Sequence, residues 1–314
     1  MEKVLVTGGA GFIGSNLVDA LLANGDYEVR VLDNFSTGRR SNLTHCISSI
    51  DLIEGDMRDM EVVEAAVQDV DCILHEAALP SVPRSVKAPI TTNDVNVGGT
   101  LKLFSAAHKA GVKKIVLASS SSVYGENPEL PKRENMVPRP MSPYAVTKLA
   151  GEHYLRVFAS LYGLETLAIR YFNVFGPRQD PTSQYSGVIA KFMHAALYGE
   201  SCVINGDGLQ ARDFTYIDNV VDANLRALAT PGLNGQVINV ACGTCITLLD
   251  LLKAVEEASG KNLKIEYGPE RAGDVRYSQA AIDAAHELLG YSPHVAFAEG
   301  IKRTFTWYQQ ENQK

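Results

Sequence analysis

The sequence lacks the features that mark several classes of protein. It has no run of eighteen apolar residues, so an ordinary membrane-spanning helix is excluded. It has no low-complexity tract and no internal repeat, so neither a disordered linker nor a repeat array is indicated. A net charge of −7 argues against nonspecific binding of nucleic acid or of an acidic membrane. Met1-Glu2-Lys3 leads directly into an apolar segment, so we expect no signal peptide and a cytoplasmic location.

Cysteine is also scarce, and the five residues present do not suggest a set of disulfides, because their number is odd. Cys242 and Cys245 form a C-x-x-C, but a second such pair, which a zinc site would need, is missing. We interpret this segment as a turn that holds two thiols, in preference to a redox or metal site. The sequence therefore predicts no metal ion.

The remaining composition is that of a globular enzyme. The chain has 314 residues, 46% of them apolar, and can bury a large core. Strand and helix patterns alternate through at least residue 170, which is typical of an α/β protein with a Rossmann-like, doubly wound parallel sheet. We expect a dinucleotide-binding domain at 1–172 and a smaller α/β substrate lobe at 173–314, with a later segment, about 213–245, returning to the first domain.

A glycine-rich segment opens the chain and indicates a dinucleotide site. Lys3–Thr7 reads as a buried strand, and it leads into Gly8-Gly9-Ala10-Gly11-Phe12-Ile13-Gly14 and then a helical pattern over Ser15–Asn24. Glycines at these spacings allow a tight turn and close approach of the backbone to a pyrophosphate, and the helix that follows offers free N–H groups. The spacing is G-x-x-G-x-x-G, which differs from the common G-x-G-x-x-G.

An acidic residue then follows the second predicted strand. The second predicted strand is Glu28–Leu32, and Asp33 follows it directly, nineteen residues after Gly14. A carboxylate at this place accepts hydrogen bonds from both ribose hydroxyls and repels a 2′-phosphate. The order strand, turn, helix, strand, acid therefore favours NAD over NADP.

A tyrosine and a lysine at helical spacing form the candidate catalytic pair. Ser142 suits the N-cap and Pro143 the first turn of a helix over Pro143–Tyr162, which places Tyr144 and Lys148 on one face. A phenol titrates near about 10 in water, and a neighbouring ammonium lowers its pKa. We therefore expect Tyr144 to act as a base toward a hydroxyl group, with its pKa lowered by Lys148.

Other candidate residues follow predicted strands, where ligands of open α/β sheets bind. Asp56 and Met57 follow the third strand at Asp51–Glu54, and Ala77 and Ala78 follow the fourth, at Cys72–His75. A serine cluster, Ser119–Ser122, follows the fifth strand at Lys114–Ala118, where a hydroxyl can relay a proton to Tyr144. His75 itself is predicted to be a packed strand residue.

Jointly, these motifs resemble the extended short-chain dehydrogenase/reductase family, and within it the nucleotide-sugar 4-epimerases. The resemblance covers nearly the whole chain. It is carried by the glycine segment, Asp33-Asn34, Gly55-Asp56, Asn96-Val97-x-Gly99-Thr100, Ser119–Gly125, Ser142-Pro143-Tyr144-x-x-x-Lys148 and Arg170-Tyr171-Phe172-Asn173-Val174-Phe175-Gly176-Pro177-Arg178.

The resemblance implies roles for named residues. Tyr144 is the catalytic base, Lys148 its partner and Ser120 the first hydroxyl partner. The residues that would bind NAD are Gly8, Gly11, Phe12, Ile13, Gly14, Asp33, Asn34, Ser36, Thr37, Gly38, Asp56, Met57, Ala77, Ala78, Asn96, Ser119, Tyr144, Lys148 and Tyr171. Those that would bind a UDP-sugar are Ser81, Ser121, Ser122, Tyr144, Asn173, Gln179, Val188, Asn205, Arg212, Arg271, Asp274 and Ser278.

The implied reaction is 4-epimerisation of a UDP-hexose through a transient 4-keto sugar. Ser278, which is small, together with Ser81 and Gln179, is similar to the subgroup that acts on UDP-N-acetylhexosamines, although Pro80 stands where that subgroup has a glycine. Small pocket residues permit an acetyl group without requiring it, so UDP-glucose and UDP-galactose remain candidates as well.

Several alternatives remain open. A UDP-glucuronate 4-epimerase or decarboxylase is one, because Arg84 or Arg178 can bind a carboxylate. A 4,6-dehydratase needs carboxyl groups where this chain has serines 120–122, and a catalytically silent NAD-sensing protein would not need the tyrosine and lysine. A simple ketoreductase would release NADH. Relatives dimerise through the helices at Asn93–Ala110 and Pro143–Tyr162, which implies a homodimer.

Overall fold

A computed structural model describes residues 1–180, 187–269 and 276–312. The strands, β1 to β14, are Glu2–Thr7, Tyr27–Asp33, Asp51–Glu54, Cys72–His75, Lys114–Ser120, Glu165–Tyr171, Val174–Phe175, Ser201–Asn205, Ala211–Arg212, Thr215–Tyr216, Asn234–Val240, Ile246–Thr247, Lys264–Gly268 and Tyr277–Ser278. The α-helices, α1 to α11, are Phe12–Asn24, Met60–Ala66, Val82–Lys87, Pro89–Asn93, Thr100–Ala110, Pro143–Tyr162, Val188–Tyr198, Ile217–Ala229, Leu248–Ser259, Asp283–Leu289 and Phe297–Glu311. Within these ranges, no helix combines the length and apolar character needed to cross a membrane.

Seven of the described strands form one parallel sheet in the order β11-β6-β5-β4-β1-β2-β3. The chain starts in the middle of the sheet, moves outward on one side through β2 and β3, and returns to the other side through β4, β5 and β6. This arrangement confirms the predicted doubly wound α/β fold. Strand β11, at 234–240, lies inside the later segment that we expect to belong with the first domain; the domain boundaries themselves stay a prediction.

The sheet is buried on both faces, which explains why its strands read as continuous apolar runs. In β1, Val4 and Val6 pack with Leu17 of α1 on one face, whereas Leu5 between them packs with Phe104 of α5 on the other. Alternation of side chains along a strand produces this division.

The predicted bounds of α6, Pro143–Tyr162, and its predicted N-cap, Ser142, are confirmed. The Ser142 hydroxyl accepts a hydrogen bond from the Ala145 amide at 3.2 Å, and Pro143 occupies the first turn. Gly163, with φ of 68°, ends the helix in the left-handed region. The cap and the glycine fix the span, so Tyr144 and Lys148 lie one turn apart at its beginning.

Two other helix predictions were wrong in part. Helix α1 begins at Phe12, three residues before the predicted Ser15, because its N-cap is Gly11 rather than a polar side chain. The predicted helix over 93–110 is divided into α4, a π-helical turn at Asp94–Gly99, and α5. In that turn Asn96 accepts a hydrogen bond from the Leu79 amide at 2.8 Å and donates one to Thr147 at 3.1 Å, contacts that local pattern does not reveal.

The part of the chain after β6 adds smaller elements beside the main sheet. Strand β13 pairs with β8, β12 and β14 flank β9, and β10 pairs with β7. Helices α7, α9 and α11 pack against one another. An aromatic group of Phe175, Phe214 and Phe297, with ring centroids 5.7 to 6.5 Å apart, fills the space beneath them. This packing places β9 and β14 beside the carboxyl ends of the main strands.

Candidate functional site

A large cavity of about 1370 Å³ lies at the carboxyl ends of the main strands, the usual place for ligands in this fold. It is lined by the glycine segment, by residues that follow β2, β3, β4 and β5, and by the start of α6. Its volume exceeds the roughly 300–1000 Å³ of a typical ligand cleft, so it has room for more than one small molecule.

The glycine segment shapes one wall of this cavity. Gly8 has φ of 70°, and a Cβ there would lie 2.8 Å from the backbone of Ala77. A Cβ at Gly14 would lie 2.2 Å from the Gly8 carbonyl oxygen. The first turn of α1 has no side-chain cap, so its N–H groups face an incoming ligand. This wall fits a pyrophosphate group, because close backbone approach and free amide donors are both present.

Asp33 is fixed against the same wall. Its carboxylate accepts hydrogen bonds from the amides of Ala10 at 2.9 Å and Phe35 at 2.7 Å. Burial raises the pKa of Asp33 and these two bonds oppose that shift. Each carboxylate oxygen accepts more than one bond, so the remaining lone pairs suit ribose hydroxyls.

Asp56 follows β3, the strand beside β2, and lines the same cavity. Asn34 and Arg58 donate hydrogen bonds to its carboxylate at 2.8 to 2.9 Å. The Arg58 guanidinium is the main reason why the pKa of Asp56 lies well below its usual range. Arg58 itself lines the cavity and has no motif that could have identified it.

Most of the residues predicted from the sequence line this one cavity. They are Gly8, Gly11, Phe12, Ile13, Gly14, Asp33, Asn34, Ser36, Thr37, Asp56, Met57, Ala77, Ala78, Ser81, Ser119, Ser120, Ser121, Ser122, Tyr144, Tyr171, Asn173, Gln179, Arg212 and Ser278. Gly38, Asn96 and Lys148 lie behind the lining. Arg271 and Asp274 lie outside the described residues.

Tyr144 and Ser120 meet at the junction of β5 and α6. The Ser120 oxygen accepts a hydrogen bond from the Ser122 amide at 3.2 Å, which leaves its proton for the Tyr144 oxygen. A hydrogen bond between the Ser120 and Tyr144 side chains favours the phenolate and lowers the pKa of Tyr144. The predicted serine partner of the phenol is therefore positioned to act on it.

The predicted effect of Lys148 on Tyr144 is absent from this structure. The Lys148 ammonium lies 5.9 Å from the centre of the Tyr144 ring and donates a hydrogen bond to the Ala118 carbonyl at 2.8 Å. Burial raises the pKa of Tyr144 to about 12, since desolvation disfavours the phenolate more than Ser120 favours it. The sequence pattern gives the spacing of the pair, but it does not reveal how deeply the phenol is buried.

Behind the pair lies a buried ion pair that sequence reasoning missed. Arg170 donates two hydrogen bonds to the Glu152 carboxylate, at 2.9 and 2.7 Å, and both side chains are 3% exposed. The Ser119 hydroxyl donates a third, at 2.5 Å. Glu152 follows Lys148 by one helical turn, so this network fixes the orientation of α6 against β5 and β6.

His75 is a packed strand residue, as predicted. It is 1% exposed, and its two ring nitrogens lie 2.7 Å from the Thr7 hydroxyl and 2.9 Å from the Thr100 hydroxyl. Burial lowers its pKa to about 3, so the ring is neutral at physiological pH.

A smaller cavity of about 740 Å³ continues from the large one. The two share Asn173, Gln179 and Arg212, and the smaller one also includes the predicted residues Val188 and Asn205. Asn173 donates a hydrogen bond to the Asp213 carbonyl at 2.9 Å. Ser278 pairs with Arg212 in the register of β14 and β9. Residues as far apart in the chain as Asn173 and Ser278 thus form one continuous wall.

Two buried polar atoms on these walls have no hydrogen-bond partner among the described residues. They are the hydroxyl oxygen of Ser122 and the side-chain carbonyl oxygen of Gln179. A buried polar group without a partner is costly, so such atoms commonly await a ligand. Hydroxyl and amide N–H groups of a ligand are the kinds of donor that such oxygens accept from.

Of the five cysteines, Cys202 lines the smaller cavity, and the other four lie away from these walls. All five cysteines are free thiols. In the described ranges, one group of potential metal ligands comes together, formed by Asp19, His45 and Cys46. The Asp19 carboxylate already pairs with His45 at 2.7 Å and with Arg178 at 2.5 Å, which accounts for the cluster without an ion.

Comparison with known proteins agrees with this geometry. Residues 4–241 match the model of the "NAD dependent epimerase/dehydratase family". The chain is 42% identical, over 99% of its length and 100% of the relative, to a UDP-glucose 4-epimerase of Mycolicibacterium smegmatis. A solved UDP-N-acetylglucosamine 4-epimerase from Methanobrevibacter ruminantium, in complex with UDP-N-acetylmuramic acid, has a TM-score of 0.94 and 41% identity, with 99% of each chain covered.

A Thermus thermophilus UDP-glucose 4-epimerase solved in complex with NAD has a TM-score of 0.89 and 40% identity, covering 98% of this chain and 99% of that one.

The fold and the site define a nucleotide-dependent enzyme of the short-chain dehydrogenase/reductase type. The chain belongs to the NAD dependent epimerase/dehydratase family. The predicted family, the predicted cofactor NAD and the predicted enzyme class, an isomerase, are confirmed.

Proposed function

We propose that this chain catalyses the 4-epimerisation of a UDP-hexose through a transient 4-keto sugar. The observation that carries the proposal is the position of Tyr144 and Ser120 in one cavity with the glycine segment, continuous with a second cavity. The reaction requires three parts: a base that takes a proton from a sugar hydroxyl, a site for the dinucleotide and a second site for the nucleotide sugar. The names of the relatives support the same class of substrate.

Different residues have different roles in the proposed reaction. Bound NAD supplies the hydride acceptor and donor, and Gly8, Gly14 and Asp33 are placed to hold it. Tyr144 takes the proton of the sugar 4-hydroxyl, with Ser120 in hydrogen-bond contact, and later returns it to the other face of the ring. We propose that the Lys148 ammonium, 5.9 Å from the centre of the Tyr144 ring, favours the phenolate as its charge develops during the reaction, although it does not lower the pKa of the resting phenol.

The second cavity explains how one base serves both faces of the sugar. A diphosphate anchored near Arg212 and Asn173 lets the flat keto sugar turn while the nucleotide stays in place. The unpartnered oxygens of Ser122 and Gln179 are available to the sugar in either orientation.

For the sugar, we propose UDP-glucose and UDP-galactose together with their N-acetylated counterparts. Ser278 and Ser81 both line the large cavity, and their small side chains permit an N-acetyl group. The Ser81 hydroxyl also caps α3 by accepting a hydrogen bond from the Arg84 amide at 3.1 Å, so its side chain is held in place.

A uronate substrate, for a 4-epimerase or a decarboxylase, is the second candidate. Arg84 lines the large cavity and suits a sugar carboxylate. Arg178, the other arginine considered, binds Asp19 at 2.5 Å and is not part of either wall. A 4,6-dehydratase lacks support, because Ser120, Ser121 and Ser122 line the cavity at the positions where that reaction needs carboxyl groups.

The test is to incubate the purified protein, without added cofactor, with UDP-glucose, UDP-N-acetylglucosamine and UDP-glucuronate in separate reactions. We expect the 4-epimer of the first two, resolved by anion-exchange chromatography, and no net change in absorbance at the NADH maximum. Carbon dioxide release or a 4-keto-6-deoxy product would favour the alternatives. Accumulation of NADH with a stable keto sugar would contradict epimerisation.

We also propose a homodimer built on α5 and α6. These helices pack together, and α6 presents an outward stripe in which Val146, Val157 and Leu161 are 45 to 68% exposed. Apolar residues at this helical spacing suit a second copy of the same pair, as in a two-fold four-helix bundle. Sedimentation equilibrium is expected to give the mass of two chains, and Leu161→Glu to give one. The cytoplasmic location stays a prediction.

A further inference from the structure

One ionisable side chain of the large cavity has no part in the reaction described above. Glu76 follows β4 directly and lines the cavity. Its carboxylate accepts a hydrogen bond from the Tyr171 hydroxyl at 2.8 Å, and that hydroxyl accepts another from the Asn224 amide at 2.8 Å. Because the hydroxyl has a single proton, the Asn224 donor directs it to Glu76. Glu76 is therefore held as an acceptor, which favours its ionised form.

Lys148, on α6, reaches the carboxyl end of the neighbouring strand β5. Its ammonium donates to the Ala118 carbonyl at 2.8 Å. His75 pairs with Leu117 in the parallel register of β4 and β5, so the next residues along, Glu76 and Ala118, are neighbours. Adjacent strands lie about 4.8 Å apart. The ammonium and the carboxylate thus occupy neighbouring strand ends without forming a direct ion pair in the described part of the chain.

The other ionisable groups named here are either paired with an opposite charge or uncharged. Glu152 receives both Arg170 bonds, at 2.9 and 2.7 Å, so these two charges compensate each other. His75, on the same strand as Glu76, is neutral, since burial lowers its pKa to about 3. Tyr144 and Tyr171 have pKa values raised by burial and are neutral phenols. Of the two described carboxylates that act on Lys148, Glu76 is the one without an arginine partner.

The charges of Glu76 and Lys148 affect each other's pKa, and the charge of Glu76 also affects the pKa of Tyr144. Burial lowers the pKa of Lys148, and the negative charge of Glu76, followed by that of Glu152, raises it. Burial raises the pKa of Glu76, and the Tyr171 hydrogen bond and the charge of Lys148 lower it. The charge of Glu76 also raises the pKa of Tyr144. Removing that charge lowers the pKa of both members of the catalytic pair.

We propose that Glu76 is a positioning residue that keeps Lys148 in its ammonium form and thereby sets the upper pH limit at which the Tyr144–Lys148 pair works. This inference rests on the proposed function for the role of the pair, but the link between Glu76 and Lys148 is independent of the substrate. Glu76 does not touch the reacting atoms in this account; it acts through the lysine.

The test compares wild type with Glu76→Gln, which keeps the size of the side chain and removes the charge. We expect the alkaline limb of the kcat/KM profile to move to lower pH by about one unit, the shift expected from loss of an opposite charge at this range. The acid limb is expected to move less in the same direction, because burial raises the pKa of Glu76 and leaves it partly protonated there. A merely structural role would lower the height of the profile without moving it.

A second measurement does not depend on turnover. In protein labelled with carbon-13 at the lysine ε-carbon, the Lys148 resonance is assigned by its absence in Lys148→Arg. Its titration midpoint is expected to fall in Glu76→Gln and to stay at the wild-type value in Glu64→Gln, an exposed control on α2. If no UDP-sugar is epimerised, the proposed function fails while this titration still tests Glu76.

An unchanged Lys148 midpoint together with an unmoved alkaline limb in Glu76→Gln would overturn the proposal. If that variant does not fold, Tyr171→Phe makes the same test, since it removes the hydrogen bond that favours ionised Glu76 and leaves the carboxyl group in place. The midpoint is then expected to fall by a smaller amount. Glu76→Asp, which keeps the charge, is expected to retain most of the wild-type profile.

Discussion

The two halves of the site are built in different ways. The half proposed for the dinucleotide, within Gly8–Gly14, Asp33–Thr37 and Ala77–Ala78, consists of short consecutive segments that line the large cavity. The half proposed for the sugar nucleotide, with Val188, Asn205, Arg212 and Ser278 among its residues, consists of single residues from strands and helices far apart in the chain. The first kind of site leaves a signature in the sequence, and the second leaves only scattered residues.

The difference has a consequence for specificity. The dinucleotide half has little freedom, because a side chain at Gly8 or Gly14 would collide with backbone atoms 2.8 or 2.2 Å away. In the other half, the Ser278 side chain lines the large cavity, so a change there alters the space of the cavity directly. We therefore expect the cofactor to be constant and the sugar to be adjustable, a contrast that three substitutions examine.

The largest effect is expected where the two halves meet. Tyr144→Phe removes the hydroxyl that handles the substrate proton, and we expect kcat to fall by about 1000-fold, within the usual range for a general base. The NAD content of the purified protein, measured by its absorbance after acid release, is expected to stay at the wild-type value.

Tyr154→Phe is the matched control for this change, because Tyr154 lies on the same helix and outside both cavities. Near-normal turnover by Tyr144→Phe would refute its assignment as the base. If Tyr144→Phe instead lost its NAD and recovered full epimerisation when NAD was added, the residue would serve only to bind the cofactor.

The next effect separates backbone strain from contact with the ligand. Gly8→Ala and Gly25→Ala both place a side chain at positive φ, at 70° and 81°. Gly25 has open space around its missing Cβ, so its substitution is expected to cost only about 1–2 kcal/mol of stability. Gly8→Ala also forces the turn away from Ala77.

We expect Gly8→Ala to weaken NAD binding by roughly 100-fold, about 2.7 kcal/mol, in isothermal titration calorimetry, while Gly25→Ala binds as wild type does. Equal affinities of the two variants would show that the close approach of Gly8 to Ala77 does not shape the cofactor site.

The smallest effect is confined to the sugar. Ser278→Tyr fills space beside Arg212, and we expect turnover of UDP-N-acetylglucosamine to fall by more than 10-fold while that of UDP-glucose changes by less than about twofold. The ratio of the two kcat/KM values is the measurement. Ser292→Tyr, the same change at an exposed position, is the control. An unchanged ratio in Ser278→Tyr would remove Ser278 from the specificity of the pocket.

Some structural features could be predicted because they depend on neighbouring residues. Ser142, Pro143 and Gly163 fix both ends of α6 by local rules of capping, and its predicted span is confirmed. The glycine segment and Asp33 likewise follow from local strand and turn patterns. Helix α1 was predicted three residues too short because its Gly11 cap carries no polar side chain.

Other features depend on contacts across the fold and could not be read from the sequence. The pKa of Tyr144 was expected to fall, but burial raises it to about 12, and depth of burial is a property of the packed protein. The Glu152–Arg170 ion pair, 18 positions apart, has no motif. Arg271 and Asp274 stay predictions, since they lie outside the described residues.

The sequence by itself determined the dinucleotide turn, the acidic residue that ends β2 and the one-turn spacing of Tyr144 and Lys148, since each depends on backbone preferences over a few residues. Only the tertiary structure decided that Glu76 is the unbalanced carboxylate near Lys148, and that Arg212 and Ser278 share a wall. The physical reason is strand register: pairing in a parallel sheet brings distant residues to one level, and neither their separation nor their charge indicates that pairing in advance.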